Sequence, residues 1–101
     1  MPKILVKIHQ AYREVISICD SDLIGKRFEE GNMQLEVSEQ FYKGEEMSKD
    51  KVIELLKEKS QENACFNFVG KQAIETGIKA EIVDEGRVIE IQGVPHAMAL
   101  L

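Results

Sequence analysis

The chain has 101 residues, 44% hydrophobic and 31% charged, enough for one modest core and too apolar for a disordered tail. Thirteen Lys and Arg against eighteen Asp and Glu leave a net charge of −5, which excludes a protein that coats duplex nucleic acid through a dense positive face. No apolar run nears the roughly 18 residues of a membrane span, and the start lacks the apolar block of a secretory signal. Two cysteines make no disulfide framework and are read as reduced thiols, in one domain over residues 1–101.

Ile4, Val6 and Ile8 alternate with Leu5, Lys7 and His9, the period of a strand with one buried face. Val15–Cys19 is a second β-branched run, close enough to pair as a hairpin. Asp20, Ser21 and Asp22 favour a turn, and Leu23–Ile24 ahead of Gly25 predicts one short helical turn. The polar stretch 26–32 closes on the turn signal Gly31–Asn32, and Met33, Leu35 and Val37 alternate as a third strand. Phe41–Tyr42 falls on a short extended piece or loop.

Ser48 is a good N-cap, and Val52, Ile53, Leu55 and Leu56 share one side of a helix running from about residue 49 to the low sixties. The stretch Asn63–Phe68 is ambiguous; Asn67 is read as the cap of a second helix carrying Val69, Ala73, Ile74 and Ile78. Asp84–Gly86 is a turn, Arg87–Ile91 a fourth strand, and the tail His96–Leu101 an apolar segment expected to pack as a last edge strand. Strands and helices are partly segregated. That order predicts an α+β fold, with a mostly antiparallel four- to five-stranded sheet and two main helices on one face.

Several phrases in fixed order resemble one family: Cys19-Asp20, Leu23-Ile24-Gly25-Lys26, Phe28-Glu29-Glu30-Gly31, Leu35-Glu36-Val37, Phe41-Tyr42-Lys43-Gly44-Glu45, Asn67-Phe68-Val69-Gly70 and Gly93-Val94-Pro95-His96-Ala97. Together they are similar to the small archaeal proteins of domain-of-unknown-function family 424, and the closing phrase is the most specific. The resemblance spans nearly the whole chain. It implies an archaeal, cytoplasmic, single-domain protein and supplies no reaction. Cys65 falls where the family pattern has small or apolar residues, so it is not read as a ligand.

Candidate chemistry rests on a few positions. His96 follows Val94–Pro95, where proline stiffens the chain and presents the imidazole in a set direction; the bland reading is a histidine pinning the tail to a backbone carbonyl. Cys19 precedes Asp20 and Asp22, whose charges oppose a reactive thiolate, so a Cys19/His96 nucleophile pair is weakly supported. His9, His96, Cys19 and Cys65 show no metal-ligand spacing, and neither metal nor cofactor is expected. Gly25, Lys26 and Arg27 form a bend able to hold an anion, although no P-loop. Asn67, Gly70 and Lys71 form a second anion-friendly place at a helix entrance. Tyr42 is a candidate for stacking on a base.

Three functions compete. The first is a binding module for an anionic partner, RNA or a ribonucleoprotein surface, engaged through Lys26, Arg27, Lys43 and Lys71 with Tyr42 or His96. The second is a small enzyme with His96 as general acid or base, aided by Cys19, Asp20 or Asn67. The third is an adaptor or subunit working through its apolar tail and the 52–56 helix face. The oligomeric state is open. A shared site requires the Gly25–Arg27 bend, the helix entrance at Asn67 and the proline-braced His96 to meet in one hollow.

Overall fold

The computed structural model describes residues 3–100. Its elements are β1 (Ile4–His9), β2 (Val15–Asp20), β3 (Arg27–Glu30), β4 (Met33–Glu36), α1 (Glu39–Tyr42), β5 (Glu45–Met47), α2 (Lys49–Ser60), β6 (Cys65–Val69), α3 (Lys71–Lys79), β7 (Ile89–Ile91) and β8 (Val94–Leu100). Single 3₁₀ turns at Ser21–Leu23 and Glu85–Arg87 complete the chain.

The main sheet has the strand order β5-β1-β2-β6-β8-β7, and β3 pairs with β4 in a separate two-stranded hairpin. The sheet is mixed: β2 and β6 run parallel, and every other neighbouring pair is antiparallel. The α+β class stands. The expected mostly antiparallel sheet of four or five strands is corrected to a mixed sheet of six, with one parallel pair, plus a two-stranded ribbon.

Alternation along the strands sorts the core into two layers. Ile4, Val6, Ile16, Ile18, Phe66, Phe68 and Ala97 point to the face covered by α2 and α3, where Val52, Leu56, Ala73 and Ile74 meet them. Cys19, Val69 and Ile91 point the other way, where Leu35, Val37 and Tyr42 from the hairpin and α1 cover them. The two main helices therefore share one face, as the sequence predicts. On the 52–56 side of α2, Val52 and Leu56 have no exposed surface, and Ile53 and Leu55 are partly buried against the same core.

The first two strands and α2 fall where the periodicity places them, and Ser48 Oγ accepts from Lys51 N–H as the cap of α2. The aromatic pair at 41–42 lies on a one-turn helix rather than an extended piece, with Ser38 Oγ accepting from Phe41 N–H. The predicted second helix loses its first residues to β6, a central strand in which Phe66, Phe68 and Val69 are buried and Cys65 and Asn67 partly so. The tail is the longest strand, and it lies inside the sheet between β6 and β7 rather than at the edge.

Candidate functional site

The parallel strands β2 and β6 end side by side at Asp20 and Val69, and α3 starts directly after β6. Asp20 is 4% exposed. Its carboxylate accepts from Gln72 N–H at 3.1 Å and Ala73 N–H at 2.8 Å, so a residue about fifty positions upstream caps α3. Gly70 makes room for it: a Cβ there would lie 2.6 Å from Asp20 Oδ2, and Gly70 has φ +106, a conformation L side chains avoid. Burial raises the Asp20 carboxyl above its ordinary range, and the two N–H donors pull against that shift.

This corrects the reading of Asn67. It lies in mid-strand β6 on the face opposite α3, and its Oδ1 accepts from Tyr42 O–H at 2.8 Å. The helix entrance that was to attract an anion already holds a carboxylate. Tyr42 is corrected as well. It is buried beneath α1, edge-to-face with Phe41 at 4.8 Å, and so cannot stack on a base. Burial, with Cys19 beside it, pushes its hydroxyl up to about 12.

Three turns do converge at this end of the sheet. They enclose a crevice of about 300 Å³ lined by Asp20, Asp22 and Leu23, by Gly70, Lys71 and Gln72, and by Gly93, Val94 and Pro95. Gly25 and Lys26 sit one step outside it. Gly25 N–H donates to Val37 O, and Lys26 N–H to Leu23 O. Arg27 opens β3 and pairs with Glu29 at 2.7 Å. Lys43 is exposed just after α1. Lys26 and Lys71 make no ion pair among the described residues. With Asp20 and Asp22 in the wall, the crevice carries both charge signs.

His96 does not face this crevice. It projects from β8 on the opposite face, cross-strand from Val69 and Ile89, with Nδ1 2.9 Å from Phe68 O. A carbonyl only accepts, so Nδ1 carries the proton and Nε2 is left for another contact. Cys19 is fully buried, and its thiol donates to Asp20 O at 3.2 Å. Burial, followed by the charges of Asp20 and Asp22, pushes that thiol up to about 12. Val69 stands between Cys19 and His96 in the strand register. No Cys–His nucleophile pair is assembled.

A feature that the candidate site left out surrounds His96, on the apolar tail that the adaptor reading names. Met98 is 72% exposed, Leu100 73% and Ile89 46%. The register puts all three on the His96 face, beyond the hairpin and α1 that cover the rest of it. His96, Ile89 and Met98, with Ala97 and Arg87, form a shallow depression of about 400 Å³ there. The tail was expected to be packed. Ala97 packs, but Met98 and Leu100 do not. The signal was the alternation of His96, Met98 and Leu100 with alanines, which marks a strand offering its larger side chains to one face. Among the described residues, no group of three or more His, Cys, Asp or Glu gathers as a metal site. No helix there is long and apolar enough to cross a membrane.

The family model described as protein of unknown function (DUF424) matches residues 8–101. The chain belongs to this family. The DUF424 match takes in the three turns of the crevice and the whole exposed face of β8. A crystal structure of an uncharacterized conserved protein from Methanopyrus kandleri is similar, with 29% identity and a TM-score of 0.84. The likeness covers 95% of this chain and 89% of that one. No curated protein matches the chain. These likenesses establish a shared fold over nearly the full length, with no reaction attached to it.

Proposed function

We propose that this DUF424 protein is a non-catalytic docking module that takes a protein partner on the open part of its sheet, around His96, Met98 and Leu100. The observation that carries this reading is the exposure of Met98 and Leu100, 72% and 73%, on one face of one strand. Scattered surface hydrophobics are ordinary, but neighbouring large ones beside a shallow depression mark an interaction surface. Methionine suits such a surface because its unbranched thioether adapts to different partners. His96 Nε2 and Arg87 supply polar contacts at the rim of this patch. The enzyme reading has less support, since the Cys19 thiol is held protonated in the core and the Asp20 carboxylate is engaged by α3.

An RNA or ribonucleoprotein partner is the second reading, favoured by Lys26 and Lys71 standing without ion pairs near the crevice. One experiment separates the two. A photo-crosslinking amino acid is placed at Met98, and at Lys57 on exposed α2 as control, in cells that express the protein. Discrete protein adducts at 98 and not at 57 are expected. A third probe at Asp22, in the crevice wall, that gives nuclease-sensitive adducts, weakened by salt and by Lys26→Ala/Lys71→Ala, establishes the second reading instead. Equal labelling at 98 and 57 overturns docking through this face.

A further inference from the structure

The backbone of β8 carries an unused edge beside the same patch. Gly70 N–H donates to Pro95 O, which sets the phase of the β6–β8 ladder. In an antiparallel pair successive residues direct their N–H and C=O groups alternately to either side. Ala97 and Ala99 therefore turn theirs toward β6, while His96, Met98 and Leu100 turn theirs away. His96 finds Ile89 of β7 there. Among the described residues β7 pairs only with Val94–His96, so the outward groups of Met98 and Leu100 lie past its end. No loop hydrogen bond reaches them among the described residues. A gap of about 390 Å³, bordered by the loop residues Ile82, Val83, Asp84 and Arg87, lies along this length of β8.

We propose that this edge pairs antiparallel with the same edge of a second copy of the chain, about a two-fold axis at Ala99. The proposal rests on the docking reading and names its partner. The register is self-complementary. Met98 of one copy faces Leu100 of the other, both pairs have their backbone groups directed outward, and four ladder hydrogen bonds form. An isologous contact requires this property of a single patch. The same pairing sets Met98 and Leu100 of one copy against Leu100 and Met98 of the other on one face of a continuous sheet. Proteins that keep an edge unpaired protect it with charges or proline, yet Ala97, Met98, Ala99 and Leu100 carry neither. A stable interface covers roughly 800 Å² per partner. One short strand pair with its flanking side chains offers less, so the dimer dissociates on dilution. Each copy carries a charge of −5, so added salt strengthens the pairing.

Sedimentation velocity from roughly 1 μM to 1 mM tests this on the full chain, together with hydrogen exchange at both ends of that range. A monomer-to-dimer shift is expected, with the Met98 and Leu100 amides slowing at least tenfold in the concentrated sample. Met98→Pro deletes an outward N–H that the β6 ladder does not use, so the fold is retained and the dimer lost. A monomer throughout the range, or a dimer persisting in folded Met98→Pro, overturns the proposal. The wild-type amides decide the matter if that variant does not fold. A monomer whose position 98 still cross-links to another protein removes the self-pairing and leaves docking standing; a monomer with no cross-link removes both.

Discussion

Cys19 shows how environment rather than residue type decides chemistry. Its neighbours in sequence, Asp20 and Asp22, already argue against a thiolate, and the fold adds full burial. With the thiol pushed up to about 12, chiefly by burial, it stays protonated near neutral pH and out of reach of solvent. Cys65 is only half-buried at the start of β6. A thiol-specific disulfide reagent should therefore modify one cysteine in the native protein, and the second only when denaturant is added. Cys65→Ala should abolish the native reaction. Fast native labelling of Cys65→Ala would show Cys19 to be reachable and reopen a nucleophilic role.

At the scale of elements, what was legible depended on whether a segment carries its own reason to form. α2 has a cap, an apolar stripe and three turns, and the sequence reads it correctly. α1 has one turn, too short to persist alone; it exists because the sheet holds it. Phe41 O accepts from His9 Nε2 and Ser17 Oγ, both at 2.9 Å, and the His9 ring stacks on Phe41 at 4.4 Å. Nothing within residues 39–42 announces those partners. β6 was misread for a related reason. A central strand buried on both sides shows no polar alternation, and its one polar residue, Asn67, looked like a cap because its partner Tyr42 is far away in sequence. The Tyr42–Asn67 bond joins α1 to β6, so Tyr42→Phe leaves Asn67 Oδ1 without its donor. The expected loss is about 1–2 kcal/mol of unfolding free energy, measured by urea titration. An unchanged midpoint would mean that solvent satisfies Asn67 and that the bond does not fasten α1.

For the whole molecule, the parallel β2–β6 pair is the decision no local pattern could reveal, because its strands are separated by the β3–β4 hairpin, β5 and two helices. The candidate site inherited that blindness. The glycines, Pro95 and Lys71 were singled out, and three turns do meet in a crevice, but the pairing register sends His96 and Asn67 to the other face. The ionisable groups of the fold respond to pH in opposite directions. Glu14 and Glu75 are held below the ordinary carboxylate range, chiefly by hydrogen bonds from Lys59 and Lys49. A lowered folded-state value means stability that is present above the ordinary range, near 4.5, and is lost as pH falls through the lowered values. Asp20 acts with the reverse sign. Its folded-state value is raised from 3.8, so its contribution is complete below that ordinary value and disappears as pH rises through the raised one. On acidification Asp20 offsets part of what the two glutamates lose. Asp20→Asn removes that offset while keeping one oxygen for an N–H of α3. The variant is less stable at neutral pH, since its amide cannot accept both bonds, and its thermal midpoint falls more steeply than the wild type's between about pH 6 and about pH 3. Thermal unfolding followed by circular dichroism across that range checks it. A slope equal to the wild type's would mean that Asp20 ionises as freely in the folded chain as in the unfolded one, and a shallower slope would mean that the two N–H donors of α3 outweigh its burial.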